Sequence, residues 1–185
     1  MNSKDIVLLV MDEYGGSMSG KTLLQKVCYF AEVALNMGVP FKAHHYGPYS
    51  PTIEESVGEL KELGFIEEHT VGFGVSNPSG FGELRRYDYR LTDDGRKVVE
   101  DLKSKKRVEA KSISGLVERI KKSGNPDYFE LSIAAKSYFI LRKQNKPMTN
   151  SEIEKEAQKL GWPLQEGSVQ KAIHLLQGLK LVTSN

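Results

Sequence analysis

The residues best suited to chemistry stand at Gly15-Gly16-Ser17-Met18-Ser19-Gly20-Lys21-Thr22, which reads G-x-x-x-x-G-K-T. At that spacing a phosphate-cradling loop turns its backbone N–H groups onto phosphates, its lysine reaches them and its threonine hydroxyl binds magnesium. The apolar run Ile6 to Met11 precedes the motif, and a helix is expected after it. The context fits less well. Such a loop leaves its strand directly, whereas Asp12-Glu13-Tyr14 intervene here, and no later apolar strand ends in an aspartate for the magnesium side. Nor do strands and helices alternate along the chain as a parallel sheet requires. Nucleotide binding through Gly15 to Thr22 is therefore the third functional reading, behind two binding functions set out below.

Other reactive groups are scattered. His44, His45 and His69 with Cys28 lack the spacing of a zinc site. In a strand over residues 41–46, His44 and His45 would also point to opposite faces. No metal site is expected. Neither a Ser, His and Asp grouping nor a G-x-S-x-G elbow is visible, so no catalytic residue, cofactor or enzymatic activity is expected. The single cysteine cannot staple the fold, and a reduced, buried thiol is its ordinary state.

Charge is more informative in its distribution than in its sum. The formal net charge is only +2. Residues 103–122 nevertheless carry Lys103, Lys105, Lys106, Arg107, Lys111, Arg119, Lys121 and Lys122 against Glu109 and Glu118, a net of +6. Arg85, Arg86 and Arg90 add to this. No acid occurs from Gly167 to the end, where Ser168, Gln170, Lys171, His174 and Gln177 are types that contact bases or phosphates. These twelve residues, counting Lys103, Lys105, Lys106 and Arg107 from the basic stretch, are the candidate DNA contacts. Residues 50–63 are the opposite: Glu54, Glu55, Glu59 and Glu62 against Lys61 give −3. A helix so charged is repelled by phosphates. Tyr46, Tyr49, Glu54, Glu55 and Glu59 are therefore the candidate contacts to a protein partner.

The elements that must position these groups follow from periodicity and capping. Residues 4–14 have helical spacing at Ile6, Val7, Val10, Met11 and Tyr14, and Gly15-Gly16 ends them. Ser19 can cap a second helix with a stripe of Leu23, Leu24, Val27, Phe30, Ala31 and Ala34. A short strand is expected at 41–46. Ser50-Pro51 then starts a helix carrying Ile53, Val57, Leu60 and Leu63 inward. Residues 65–71 and 84–91 read as a hairpin, and Gly72, Gly74, Gly80 and Gly82 predict that residues 72–82 are mobile. Thr92 caps the next helix. A basic helix over 105–122 presents Val108, Ile113, Leu116, Val117 and Ile120 on one side, which a homodimer would cover. Gly124-Asn125-Pro126 marks a boundary, and helices are expected at 128–144, 150–160 and 167–179.

Helix, helix, strand, helix and hairpin describe a winged helix. The stretch "LKELGFIEE…RRYDYRLTDDGRKV" looks like the recognition helix, wing and following helix of winged-helix regulators. The ending "HLLQGLKLV" repeats "ELKELGFI" weakly, which suggests a second such unit cut off at its first wing strand. "TLLQKVCYF" (22–30), "HHYGPYS" (44–50) and "ELKELGFI" (59–66) carry a further likeness. Through them the N-terminal part resembles the YwgA-like family and, more distantly, the SocA-like (Panacea) antitoxin proteins. That resemblance implies a winged-helix-like fold, a regulatory or antitoxin-type role, and no enzymatic activity.

The expected architecture is thus α+β, mostly α: two tandem winged-helix or helix-turn-helix units joined by a basic helix. The expected division is 1–104, 105–124 and 125–185. The expected function is regulatory DNA binding, with an antitoxin-like protein-interaction module as the alternative. No apolar run reaches membrane-spanning length and no secretory pattern opens the chain, so a cytoplasmic protein is expected.

Overall fold

The computed structural model describes residues 1–73, 84–165 and 167–183. The elements run α1 (Ser3–Glu13), β1 (Ser17–Ser19), α2 (Lys21–Leu35), α3 (Pro51–Glu62), β2 (Ile66–Phe73), β3 (Leu84–Leu91), α4 (Asp93–Lys105), α5 (Arg107–Lys122), α6 (Tyr128–Gln144), α7 (Asn150–Lys159) and α8 (Ser168–Gly178). The fold is α+β and mostly α. Its antiparallel sheet has the order β1-β3-β2. Three helices with a strand between the first two, closed by a hairpin, make the N-terminal part a winged helix. The rest of the expected wing loop, residues 74–82, lies outside the described residues; Gly72 and Phe73 belong to β2 and pair with Arg85 and Leu84.

The third strand is not where the sequence reading put it. Residues 41–46 form no strand; Lys42 and Tyr49 make an isolated bridge, each N–H donating to the other's carbonyl at 2.9 Å. The strand is instead β1, inside the glycine-rich motif. Gly15 and Gly16 take φ of 79° and 82°, a region open to glycine at little cost. They turn the chain so that Ser17, Met18 and Ser19 pair with Arg90, Tyr89 and Asp88, with Met18 buried between exposed serines.

Helix α1 is the central element. Asn2 and Asp5 form a reciprocal capping box at its start. Six consecutive residues from Ile6 to Met11 are buried, because α2, α3, α4 and α5 all pack around it. This explains why its sequence is apolar on more than one face.

The basic stretch is no free-standing linker. It breaks at Lys106, which joins α4 to α5. Ala110, Ile113, Leu116, Val117 and Ile120 of α5 are buried in the main core, against α1 and α2. The face that suggested a homodimer is therefore covered within the chain, and Val108, expected on it, is 77% exposed. The main cluster continues into Leu131, Ala134 and Ala135 of α6 and Ala172, Leu175 and Leu176 of α8. One core thus crosses both expected boundaries at 104 and 124.

Helices α6, α7 and α8 follow the boundary expected at 124 and make the second helical unit. Thr149 caps α7 in a capping box with Glu152. A small second cluster of Ile140, Ile153, Ala157, Trp162 and Val169 holds the three together. The expected strand at Leu181-Val182 is not formed; those residues are half-buried against the main core. No described residue after α8 is in a strand.

Candidate functional site

The most elaborate polar construction lies where the segment His44 to Ser50 meets α2. Two polar residues, Gln25 and Lys26, sit in the apolar stripe of that helix and are 7% and 2% exposed. Gln25 grips the backbone of Ser50 from both sides. Its Nε2 donates to the Ser50 carbonyl at 3.0 Å, and the Ser50 N–H donates to its Oε1 at 3.0 Å. The Lys26 amine donates to the Pro48 carbonyl at 2.7 Å. These bonds satisfy backbone groups that a buried loop would otherwise leave unpaired. Gly47 takes φ of 100°, and a Cβ there would lie 3.0 Å from Lys136 Cγ and 3.4 Å from Lys26 Cε. The second unit closes the other side: Trp162 Nε1 donates to the His44 carbonyl at 2.6 Å, and the Lys136 ammonium stands over the Trp162 ring at 5.7 Å.

The fixed loop delivers its side chains to the start of α3. Ser50 caps that helix through the Ile53 N–H. The Tyr49 hydroxyl donates to Glu54, and Lys21 pairs with the same carboxylate at 3.1 Å. Lys21 also stands 4.8 Å over the Tyr87 ring, and His44 packs on Tyr49 at 4.9 Å. The bond from Tyr49 holds the Glu54 carboxyl below its ordinary pKa, with Lys21 assisting; the same bond pushes the Tyr49 phenol up to about 12. Burial, then the neighbouring Lys136 charge, brings Lys26 down to about 7.

Between α2, α3, β3 and this loop lies a cleft of about 450 Å³. Leu24, Ile53, Val57, Tyr46, Tyr49 and Tyr89 form its apolar walls, and Lys21, Lys26, Lys42, His44 and Glu54 its polar points. Among the expected partner contacts, Tyr46, Tyr49 and Glu54 therefore come together at one cleft. Tyr46 is 57% exposed, and Glu55 is exposed on the adjoining turn of α3. Glu59 lies further along α3, paired with Lys4 at 2.6 Å. Sequence reasoning missed Gln25, Lys26, Lys136 and Trp162. The signals for the first two were their place inside TLLQKVCYF and an amide and an amine within an apolar helical stripe.

The expected DNA contacts are divided among three places, and several are already neutralised. On β3, alternation puts Arg86 and Arg90 on one face and Arg85 on the other; Arg86 is held by Asp88 at 2.7 and 2.8 Å. At the α4–α5 junction, Lys103 pairs with Asp12 at 2.5 Å and Glu13 at 3.2 Å, Lys106 with Asp5 at 2.7 Å, and Lys105 with Asp101 at 2.8 Å. Arg107 is exposed. On α8, Gln170, Lys171 and His174 share an exposed face, Ser168 donates to the Gln165 carbonyl at 2.6 Å, and Gln177 is half-buried. Ser168, Lys171 and His174 also border a groove with Asp127 and Glu130 of α6.

The glycine-rich motif does not form a phosphate cradle. Its Gly15, Gly16 and Gly20 N–H groups donate to the carbonyls of Asp12, Met11 and Tyr87, and a Cβ on Gly16 would meet the Arg96 guanidinium at 2.6 Å. Among the described residues, no three His, Cys, Asp or Glu groups gather as metal ligands, and no helix is long and apolar enough to cross a membrane. His44 and His45 lie in a turn, so the strand argument against their sharing an ion does not apply; their rings instead face Tyr49 and Tyr46. Compared with models of known protein families and with curated proteins, the chain matches none.

Proposed function

We propose that the chain is a regulatory protein-interaction module of antitoxin type, built on a winged helix whose α3 face meets a protein rather than DNA. The observation that carries this reading is the cleft at the head of α3. Its loop is fixed from both sides, its walls are apolar, and Tyr46 stands exposed at it. A rigid aromatic beside an apolar pocket is the usual anchor of protein interfaces. Glu55, exposed on the adjoining turn, and Glu62, exposed at the far end of α3, disfavour phosphate along this helix and favour a basic partner surface.

A second reading is DNA binding through α8, favoured by the exposed Gln170, Lys171 and His174 on a helix that carries no acid of its own. The two readings separate in one pair of measurements. Fluorescence anisotropy with mixed-sequence duplex DNA is read at 50 and 200 mM salt, because binding through phosphates weakens steeply over that range. Cross-linking in the native host then identifies a partner, whose purified form is titrated against wild type, Tyr46→Ala and Glu55→Lys. The proposal expects no salt-sensitive DNA binding and a partner affinity lowered at least about tenfold by each substitution. Tight, salt-sensitive DNA binding lost in Lys171→Ala, with partner affinity unaffected at the cleft, would replace it with the α8 reading.

A further inference from the structure

The interior of the cleft holds a group that docking at its rim does not use. A lysine side chain is long and strongly hydrated, and its burial is costly unless something is gained. Lys26 is 2% exposed. It faces the same cleft as Leu24, Ile53 and Val57, and its amine has a carbonyl acceptor, Pro48, at 2.7 Å. A carboxylate would hold the amine permanently charged; no salt bridge to Lys26 is found among the described residues, and its near charged neighbour is the cation Lys136. This is the setting in which amines become nucleophiles: an apolar pocket, a second cation close by, and no counter-ion.

We infer that the Lys26 amine forms a reversible imine with a small aldehyde or ketone seated in the cleft between α2, α3 and the Gly47 to Ser50 loop. The volume of about 450 Å³ lies in the range of small-ligand sites. The apolar walls and the Tyr46 and Tyr49 rings fit an aliphatic or aromatic body. Lys42, exposed and lining the same cleft, fits an anionic group on it. The neutral amine lends its electron pair to the carbonyl carbon, forming the C–N bond. Its two protons and the carbonyl oxygen leave as one water, and the C=N bond replaces C=O. No oxidant or reductant is needed. Protonation of the imine nitrogen gives an N–H that donates to Pro48 as the amine did. The inference stands apart from the identity of any protein partner at the rim.

Burial supports the chemistry by keeping part of the amine neutral near pH 7, whereas an exposed lysine is neutral there in only about one molecule in a few thousand. Other titratable groups facing the cleft are Lys21, Lys42, His44, Tyr46, Tyr49, Glu54 and, from β3, Tyr89. Lys21 and Tyr49 are both engaged by Glu54.

The test uses 4-carboxybenzaldehyde with cyanoborohydride on the intact folded chain, which reduces each imine to a permanent adduct. Peptide mass mapping reads the adduct at every lysine between pH 6 and 9. The expected result is labelling of Lys26 at least about tenfold faster at pH 7 than of exposed Lys97 or Lys111. Its rate should level off just above pH 7, while theirs climbs toward pH 10. Lys26→Arg, checked for folding by circular dichroism, should lose the fast adduct. Labelling of Lys26 no faster than of Lys97, or only after unfolding in urea, overturns the inference. In that case Lys26 is only the clamp on Pro48.

Discussion

Replacing Gln25 by leucine tests whether the site depends on one amide. The side chains are similar in size, so the change removes two hydrogen bonds and leaves the packing volume nearly intact. Ser50 is fully buried. Its N–H, which now donates to Gln25 Oε1 at 3.0 Å, would lose its protein acceptor, at about 1–3 kcal/mol for a buried unpaired donor. Its carbonyl keeps the Glu54 N–H at 3.2 Å, so losing Gln25 Nε2 there costs only the net value of one bond, about 1 kcal/mol. The sum is about 2–4 kcal/mol, and at about 2–4 °C per kcal/mol for a chain of this size the melting temperature should fall by about 4–16 °C. Urea titration followed by circular dichroism measures the loss. Gln144→Leu is the control, since its bond to Glu156 at 3.0 Å is exposed and should be worth less than about 0.5 kcal/mol. In hydrogen exchange, the Ser50 amide should be protected in wild type and fast in Gln25→Leu. A variant as stable as the control, with the Ser50 amide still protected, would refute the claim that Gln25 holds the loop.

Four further outcomes are expected. Gly95→Ala should cost more than about 3 kcal/mol in urea titration, because its Cβ would sit 2.1 Å from the Phe65 carbonyl oxygen, which is backbone; a loss under about 1 kcal/mol would contradict that contact. Ile113→Ala should cost about 2–5 kcal/mol, with a midpoint independent of protein concentration, since α1 and α2 cover the residue; concentration dependence would point to a subunit interface instead. Lys26 is lowered to about 7, so between pH 7 and its ordinary value near 10.4 the unfolded chain binds more protons and stability rises with pH. Wild type should therefore gain stability relative to Lys26→Met from pH 6 to pH 9, and an unchanged difference in urea titrations would contradict the shift. Isothermal titration with ATP and GTP in magnesium should give no micromolar binding, because the Gly15, Gly16 and Gly20 N–H groups already have carbonyl acceptors; binding abolished by Lys21→Ala would reverse this.

Much of the fold was legible because local chemistry and tertiary need coincide. "LTDDGR" is the clearest case. Thr92 caps α4 through the Gly95 N–H, its hydroxyl donates to the Gly64 carbonyl at 2.7 Å, and Gly95 lets the Phe65 carbonyl approach. The motif records how α4 is fastened to the end of α3. The third strand was not legible, because β1 is three residues long and only Met18 in it is apolar; its pairing with β3 comes from the sheet and not from periodicity. The unformed strands at 41–46 and 181–182 show the converse. Phe41, Leu181 and Val182 are apolar because they pack on the core, and half-buried loop residues imitate short strands. At the site, the GPYS loop stood out, but its supports did not. Gln25 and Lys26 are recognisable as a clamp only once α2 is known to pass behind the loop, and Trp162 reaches His44 across 118 positions of sequence.

Folding changes what the charge of the basic stretch is available to do. Summed along the chain, residues 103–122 carry +6, which suggests a surface that seeks phosphate. Folding brings α1 alongside α4 and α5, and the acids of α1 meet the lysines one by one: Asp12 and Glu13 at Lys103, Asp5 at Lys106. Lys121, exposed, is engaged as well, donating to the Glu13 carbonyl at 2.6 Å and standing 5.3 Å from the centre of the Tyr14 ring. A lysine so engaged must give up its partner before it can neutralise a phosphate, which offsets much of the gain from counterion release. The acids of α3 are engaged unequally. Glu54 accepts from Tyr49 and Lys21, while Glu55 and Glu62 stand exposed at the two ends of the helix. The basic stretch thus spends part of its charge on assembling the fold, while the exposed part of α3 keeps negative charge beside an apolar cleft. Under the proposed function, that balance favours a basic protein surface over phosphate at α3.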